Sequence, residues 1–408
     1  MNSVRNRLFV MMVLEFFVWG AWLPLVWPYL GELGFSANQI ALVGSAFAIA
    51  SVVAIFFSNQ FADRNFAAER FMAVSHLVGG LAMLGLFFTR SFPSFFALML
   101  VHSLFYVPTI SVANSLAFAN LADPQREFGP VRMGGTIGWI LASWPLYFVL
   151  KGSTGEELQL ARSYIFVASG VASLVLAGFS LSLPHTPPRP ARGAEDRLAW
   201  LRASRCLGAP YLLVLFAVTF IDSTIHNGYF LLTGGFLGAI GIEPENVMPV
   251  MSIGQVAEIL TMAVLGWFLQ RLGWRLTMLL GILGHAARFA VFAFFASVPE
   301  AIVAVQVLHG ICYAFFFATV YIFIDVAFPK DVRASAQGLF NLLILGLGDL
   351  AAKWLFLPLQ GRLTQAGQTD FETLFLVPTG LALLAALLLG LFFRPPEALR
   401  SAAGAAAP

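Results

Sequence analysis

Residues 184–208 open with Pro184-His185-Thr186-Pro187-Pro188-Arg189-Pro190 and run on through Arg192, Arg197, Arg202 and Arg205. Four prolines and five arginines in this stretch are incompatible with a membrane-crossing helix and mark an exposed connection. On both sides the chain is overwhelmingly apolar. A helical span needs about 20 mostly apolar residues. Six such stretches precede the connection, roughly 7–33, 37–61, 69–90, 93–120, 129–150 and 162–183. Six follow it, roughly 209–240, 246–270, 275–297, 299–328, 333–361 and 370–393. The breaks carry turn or charge signals such as Gly34-Phe35-Ser36, Asp63-Arg64-Asn65, Asp123-Pro124 and Pro329-Lys330-Asp331. The pattern predicts an all-α membrane protein of twelve transmembrane helices. It divides into an N-terminal six-helix bundle (1–183), a cytoplasmic linker (184–208) and a C-terminal six-helix bundle (209–408).

Composition agrees. The 408 residues are 59% hydrophobic and 11% charged, against about 25% charged in soluble domains. The same figures exclude a disordered chain. A net charge of +2 gives no reason to expect a nucleic-acid partner. Cys206 and Cys312 supply neither a disulfide framework nor a metal cluster, and no cofactor is expected. Arg5 and Arg7 ahead of an apolar run resemble a signal peptide. The run is too long, contains Glu15, lacks a small-x-small cleavage site and is followed by eleven more spans, so we read it as a retained helix.

Orientation follows from the basic residues. One set of loops, with both termini, holds 16 Lys and Arg, the opposite loops hold 4, and Arg132, Arg288 and Lys353 fall inside spans. The bias places both termini in the cytoplasm, and an even number of spans agrees.

The two halves repeat at one offset. Gly34-Phe35-Ser36 corresponds to Gly241-Ile242-Glu243, Asp63-Arg64 to Gln270-Arg271, His102 and Tyr106 to His309 and Tyr313, and Arg126 to Arg333, each 207 residues on. A shift of six helices preserves topology. Parallel repeats with a midplane site between the halves are a secondary-transporter design.

The twelve spans, the central linker and the Asp63-Arg64 loop resemble the major facilitator superfamily. Six strings are similar to its bacterial nucleoside:proton symporters: Phe16-Phe17-Val18-Trp19-Gly20-Ala21-Trp22, Ala62-Asp63-Arg64, Arg132-Met133-Gly134-Gly135-Thr136-Ile137-Gly138-Trp139, Leu183-Pro184-His185, Gln255-Val256-Ala257-Glu258 and Arg333-Ala334-Ser335-Ala336-Gln337-Gly338. The similarity covers nearly the whole chain. It implies uptake of a nucleoside with a proton by alternating access across a bacterial inner membrane, and it favours a monomer.

Ionisable groups inside a bilayer are costly and mark function by default. Glu258, halfway along the eighth span, is the foremost candidate for proton coupling, with Gln255 on the same face three residues earlier. The amide of Gln255 offers both a donor and an acceptor to a base or ribose. These two residues alternatively hold helices together. Arg132, Thr136 and Trp139 form one stripe on the fifth span. The resemblance implies that the stripe lines the substrate cavity. Arg132 as a snorkelling anchor and Trp139 as a packing aromatic are the alternatives. On the seventh span Asn227 matches a ligand-binding amide of the family, and Thr224 stands where some members have glutamine. Asp222 and His226 form either a proton-sharing pair or a local ion pair. Tyr313 matches a family aromatic, but Ala314 replaces the acidic residue that commonly follows it. Asp349 and Lys353 pair at i,i+4 or take over the missing polar role. His102 and His309 read as interhelical hydrogen-bonding groups.

No Walker A loop, nucleophile elbow, zinc spacing or haem-attachment string occurs. An enzyme is therefore not expected, and energy must come from an ion or substrate gradient. The alternatives to a nucleoside are a sugar or another small polar solute, or a sensor that binds without transporting.

Overall fold

The computed structural model describes residues 2–54, 66–122, 124–188, 199–329 and 333–401. Ten helices are long and apolar enough to cross a membrane: Val4–Glu32, Ala68–Phe87, Phe92–Asn120, Glu127–Leu150, Gly155–Ser180, Pro210–Ala239, Pro244–Phe294, Pro299–Ala327, Ala336–Leu363 and Phe371–Phe392. The shorter apolar helix Ala37–Val53 lies between the first two. At 1.5 Å per residue, the 51 residues of Pro244–Phe294 would reach roughly 75 Å, far beyond a hydrocarbon core of about 30 Å. The chain breaks at Gly273, whose φ of 68° and ψ of −179° leave the helical region at little steric cost for glycine. This helix is therefore two spans, and the total is the expected twelve, numbered here 1–12 in chain order.

Each break has a local cause. Span 1 is interrupted after Gly20, and Pro24 opens its second part, Leu23–Glu32, because proline suits a first helical turn and supplies no N–H. Gly34, with φ 77°, ends the span, and Ser36 with Gln39 forms a capping box at the start of span 2. The repeat-related Gly241 takes the same left-handed conformation, with φ 90°. The repeat thus extends to the backbone of the turns. Two π-helical segments, Tyr313–Ala318 in span 10 and Leu342–Leu347 in span 11, are not legible in the hydropathy pattern.

The described chain forms two compact units. The first comprises Met1–Pro190 with Phe230–Ser252, and the second Ala191–Tyr229 with Ile253–Pro408. In the first unit, span 1 lies along span 5 and span 3 packs on spans 4 and 6. Glycines set the approach. A Cβ on Gly138 would run into the Val13 carbonyl, one on Gly134 would come within 2.8 Å of the Phe9 carbonyl, and one on Gly80 within 3.1 Å of the Gly170 carbonyl. Such small-residue contacts are how helices pack in lipid, where apolar burial drives little association. In the second unit Gly310 of span 10 abuts the backbone of Ala257 and Glu258 in span 8, and Gly348 of span 11 abuts Ser223 of span 7. Large apolar side chains such as Leu81, Phe148, Leu260 and Leu387 point outward, as a lipid-facing surface requires.

The start of the expected linker is anchored. Glu69 accepts from the Thr186 N–H at 3.0 Å and pairs with His185 at 2.8 Å, while Asn120 donates to the Thr186 hydroxyl at 2.8 Å. His185 and Thr186 therefore clamp the start of span 3 to the end of span 4. Later in the linker Ala199–Cys206 is helical and packs against Arg333–Asn341. The Asp63-Arg64 loop lies outside the described residues, as do the side chain of Arg126 and most of the linker arginines.

Candidate functional site

The expected site residues fall into two groups, one in each unit. In the first unit the Arg132 guanidinium sits 4.1 Å above the centre of the Phe16 ring, a cation–π contact. Thr136 follows one turn later on the same helix face and is half-buried. Trp139 meets Trp19 edge-on at 5.5 Å and Phe230 at 5.4 Å. Trp19 in turn stacks on Phe47 at 4.9 Å. A Cβ on Gly20 would lie 3.1 Å from the Trp139 backbone and ring, so this glycine allows the indole to sit against span 1. The result is an aromatic platform of Phe16, Trp19, Phe47, Trp139 and Phe230. The indole N–H of Trp19 is buried with no hydrogen-bond partner among the described residues.

In the second unit Gln255 is buried, and its side-chain carbonyl has no hydrogen-bond partner among the described residues. Glu258 is one turn away and half-buried, and Gly310 brings span 10 against its backbone. Asn227 is committed to the protein, donating to the carbonyls of Ser223 at 2.8 Å and Ile344 at 3.1 Å. The second contact reaches the π-helical segment of span 11, where the displaced register frees carbonyls. Thr224 donates to its own helix at Phe220, 2.9 Å away. Tyr313 begins the π-helical segment of span 10 and lies against His226 and Phe317, with ring centres 6.0 and 5.9 Å apart.

Behind this face is a cluster that sequence reasoning did not assemble. Arg288 of span 9 is fully buried. It donates to His309 Nδ1 at 2.9 Å and His285 Nδ1 at 3.0 Å, and it lies 4.0 Å from the centre of the Tyr229 ring. Tyr229 donates to Gln306 at 2.7 Å. Guanidinium has no acceptor atom, so both Nδ1 atoms must accept and both rings are neutral with the proton on Nε2. His285 Nε2 lies 3.6 Å from Asp222, too far for a hydrogen bond. Both oxygens of fully buried Asp222 lack a hydrogen-bond partner among the described residues. Asp222 is thus set toward His285 of span 9, and it makes no hydrogen bond to His226. The spacing of His285 and Arg288 at i,i+3 was a readable signal, but Asp222, Tyr229 and His309 reach them from other spans.

The remaining expected groups sit as follows. Asp349 and Lys353 are buried and paired within span 11. His102 lies 3.1 Å from the Gly79 carbonyl on span 3, an interhelical hydrogen bond. Among the described residues no three His, Cys, Asp or Glu side chains are grouped as metal ligands.

Comparison with known proteins shows the family. A family model described as Nucleoside H+ symporter matches residues 1–398. The Escherichia coli protein YegT is 32% identical over 349 residues, covering 84% of this chain and 81% of that one. The Escherichia coli xanthosine permease is 27% identical over 410 residues, covering 95% of each chain. A crystal structure of a single-residue variant of the nucleoside transporter NupG superposes with a TM-score of 0.84 at 24% identity, over 96% of this chain and 100% of that one, so the two share a fold. The chain belongs to the nucleoside:H+ symporter family, whose members are membrane transporters and not enzymes.

Proposed function

We propose that this chain takes up nucleosides with protons by alternating access, using Arg132, Thr136 and Trp139 of the first unit and Thr224, Asn227, Gln255, Glu258 and Tyr313 of the second. The family match along nearly the whole chain carries the reading. The aromatic platform suits a base, since base–aromatic stacking is worth roughly 1–3 kcal/mol. The unpartnered Gln255 carbonyl suits an N–H or hydroxyl of the substrate. Asn227, whose amide N–H groups are held by backbone carbonyls, presents its side-chain oxygen as an acceptor, and Thr224, which donates to its own helix, helps to shape the wall. Glu258 is the chief protonatable group and Asp222 a second. Protonation must favour one state of the cycle by differential free energy. The protein works as a monomer in the lipid bilayer of a bacterial inner membrane, with both termini cytoplasmic and residues 184–208 joining two six-helix bundles.

Uptake of labelled uridine and adenosine into proteoliposomes, with and without an inward proton gradient, tests this. Gradient-stimulated uptake, competed by nucleosides and not by free sugars, is expected. Sugar competition, or binding without transport, would overturn it. Glu258→Gln should retain nucleoside exchange and lose gradient-driven accumulation.

A further inference from the structure

Glu15 of span 1 is fully buried, as is His76 of span 3. The Glu15 carboxylate meets His76 Nε2 at 2.8 Å and accepts from the Thr109 hydroxyl at 2.7 Å. Tyr106 donates to the Glu15 main-chain carbonyl at 2.7 Å. His76 Nδ1 lies 3.1 Å from the Ser173 hydroxyl of span 6, and the same hydroxyl lies 2.9 Å from the His76 carbonyl. Each neighbouring span contributes few other titratable groups among the described residues. Span 4 adds His102 and Tyr106, stacked at 5.3 Å. Span 5 adds Arg132, held over Phe16. Span 6 adds the hydroxyls of Ser169 and Ser173.

A buried carboxylate needs a countercharge. His76 is the one ionisable side chain that hydrogen-bonds the Glu15 carboxylate among the described residues, so the charge balance of this pair is set by its protons. The geometry accommodates two states that differ by one proton. In the first, Nε2–H donates to Glu15, Nδ1–H donates to Ser173, and the Ser173 hydroxyl donates to the His76 carbonyl. Imidazolium and carboxylate then cancel. In the second, the Nδ1 proton has left to water, the Ser173 hydroxyl rotates to donate to Nδ1, and Nε2–H still donates to Glu15. The site then carries one negative charge. No hydrogen bond to the ring is lost in either state, because a serine hydroxyl is both donor and acceptor.

We propose that Glu15, His76 and Ser173 form a proton-binding site in the first unit, additional to the carboxyls of the second, which takes up and releases one proton during transport; this rests on the symport reading above. Glu15→Gln keeps an acceptor for Thr109, turns its amide N–H toward Nε2 of a neutral ring whose proton sits on Nδ1, and removes the carboxylate charge beside His76. In proteoliposomes it should leave uridine counterflow within about twofold of the native protein and lower proton-driven accumulation at least tenfold. Unchanged accumulation would overturn the proposal. A second readout uses the native protein in detergent with ¹⁵N-labelled histidine, the His76 signal being identified by its loss in His76→Gln. Both ring nitrogens should be protonated at acid pH and Nδ1 should lose its proton at alkaline pH. A ring that stays neutral throughout would overturn the site. Absence of gradient-driven uptake by the native protein would sink the symport reading, while the histidine signal would still judge the site by itself.

Discussion

Glu15 in the first unit and Asp222 in the second stand 207 residues apart, at one position of the repeat, and both are fully buried. Each faces a histidine from the third span of its own half, His76 at 2.8 Å and His285 at 3.6 Å. They differ in where the positive charge resides. The second unit buries Arg288, hydrogen-bonded to His285 and His309, and arginine does not lose its proton in proteins. The first unit has at the corresponding contact only His76. Two halves built on one pattern thus set the same buried acid beside a neutral histidine backed by a fixed cation in one unit and beside a histidine alone in the other. A fixed charge stabilises a unit without making it respond to pH, whereas an exchangeable one does both.

Removing the fixed cation should have the largest effect. Arg288→Leu strands Asp222 and should cost about 3–5 kcal/mol, read as a fall in Tm of the purified protein. Combining it with Asp222→Asn should recover much of that loss. If Arg288→Leu melts like the native protein, the second unit is not held by a fixed charge. The acid substitutions sharpen the contrast. Asp222→Asn leaves Arg288 uncompensated and should cost more than Glu15→Gln, which loses about 1–2 kcal/mol because the carboxamide still accepts from Thr109 and can donate to a neutral His76 ring. Equal costs would erase the distinction between the units.

The helix contacts give a third comparison. Gly138→Ala and Gly310→Ala each force a close backbone contact apart and should cost about 1–3 kcal/mol. Gly310→Ala should in addition reduce proton-driven uptake, because it displaces the backbone of Glu258. The ligand-facing groups give a fourth. Gln255→Leu and Trp19→Phe each remove one buried polar atom that has no partner among the described residues. Each should weaken nucleoside binding by about 1 kcal/mol, roughly fivefold, as measured by ligand-induced thermal shift.

The smallest effect is at the surface. Asp370 caps span 12, accepting from the Thr373 hydroxyl at 2.7 Å and its N–H at 3.0 Å. These bonds hold its carboxyl below the usual aspartate range. A depressed value means that its contribution is present above the unfolded-state pKa and is lost as pH falls through the folded one. Asp370→Asn should flatten the acid side of the Tm profile slightly, in contrast to the buried pairs.

Much of this was legible in the sequence. The pairs Gly34 and Gly241, and His102 and His309, announced the repeat before any coordinate, because turns and buried polar groups tolerate few residue types. The break near Gly273 was legible from the charged residues around it. The site was legible only in part. Gln255 stood out as an amide on an apolar helix, but that the N–H groups of Asn227 and the hydroxyl of Thr224 donate to backbone carbonyls could not be read. Glu15 and Arg288 could be seen to lie in spans, yet neither direction nor partner could be read. A helix that is apolar all round has no polar face to orient it.

The sequence by itself determined that the chain crosses a membrane, how many times, and that its halves are copies. Those properties rest on hydropathy summed over about 20 residues at a time, which needs no knowledge of neighbours. Which histidine serves which acid was decided only by tertiary structure. Glu15, His76, Thr109 and Ser173 come from four different spans, brought together by glycines that let helices approach closely. A hydrogen bond between 2.7 and 3.1 Å depends on that approach, and no pattern along one helix encodes the position of another.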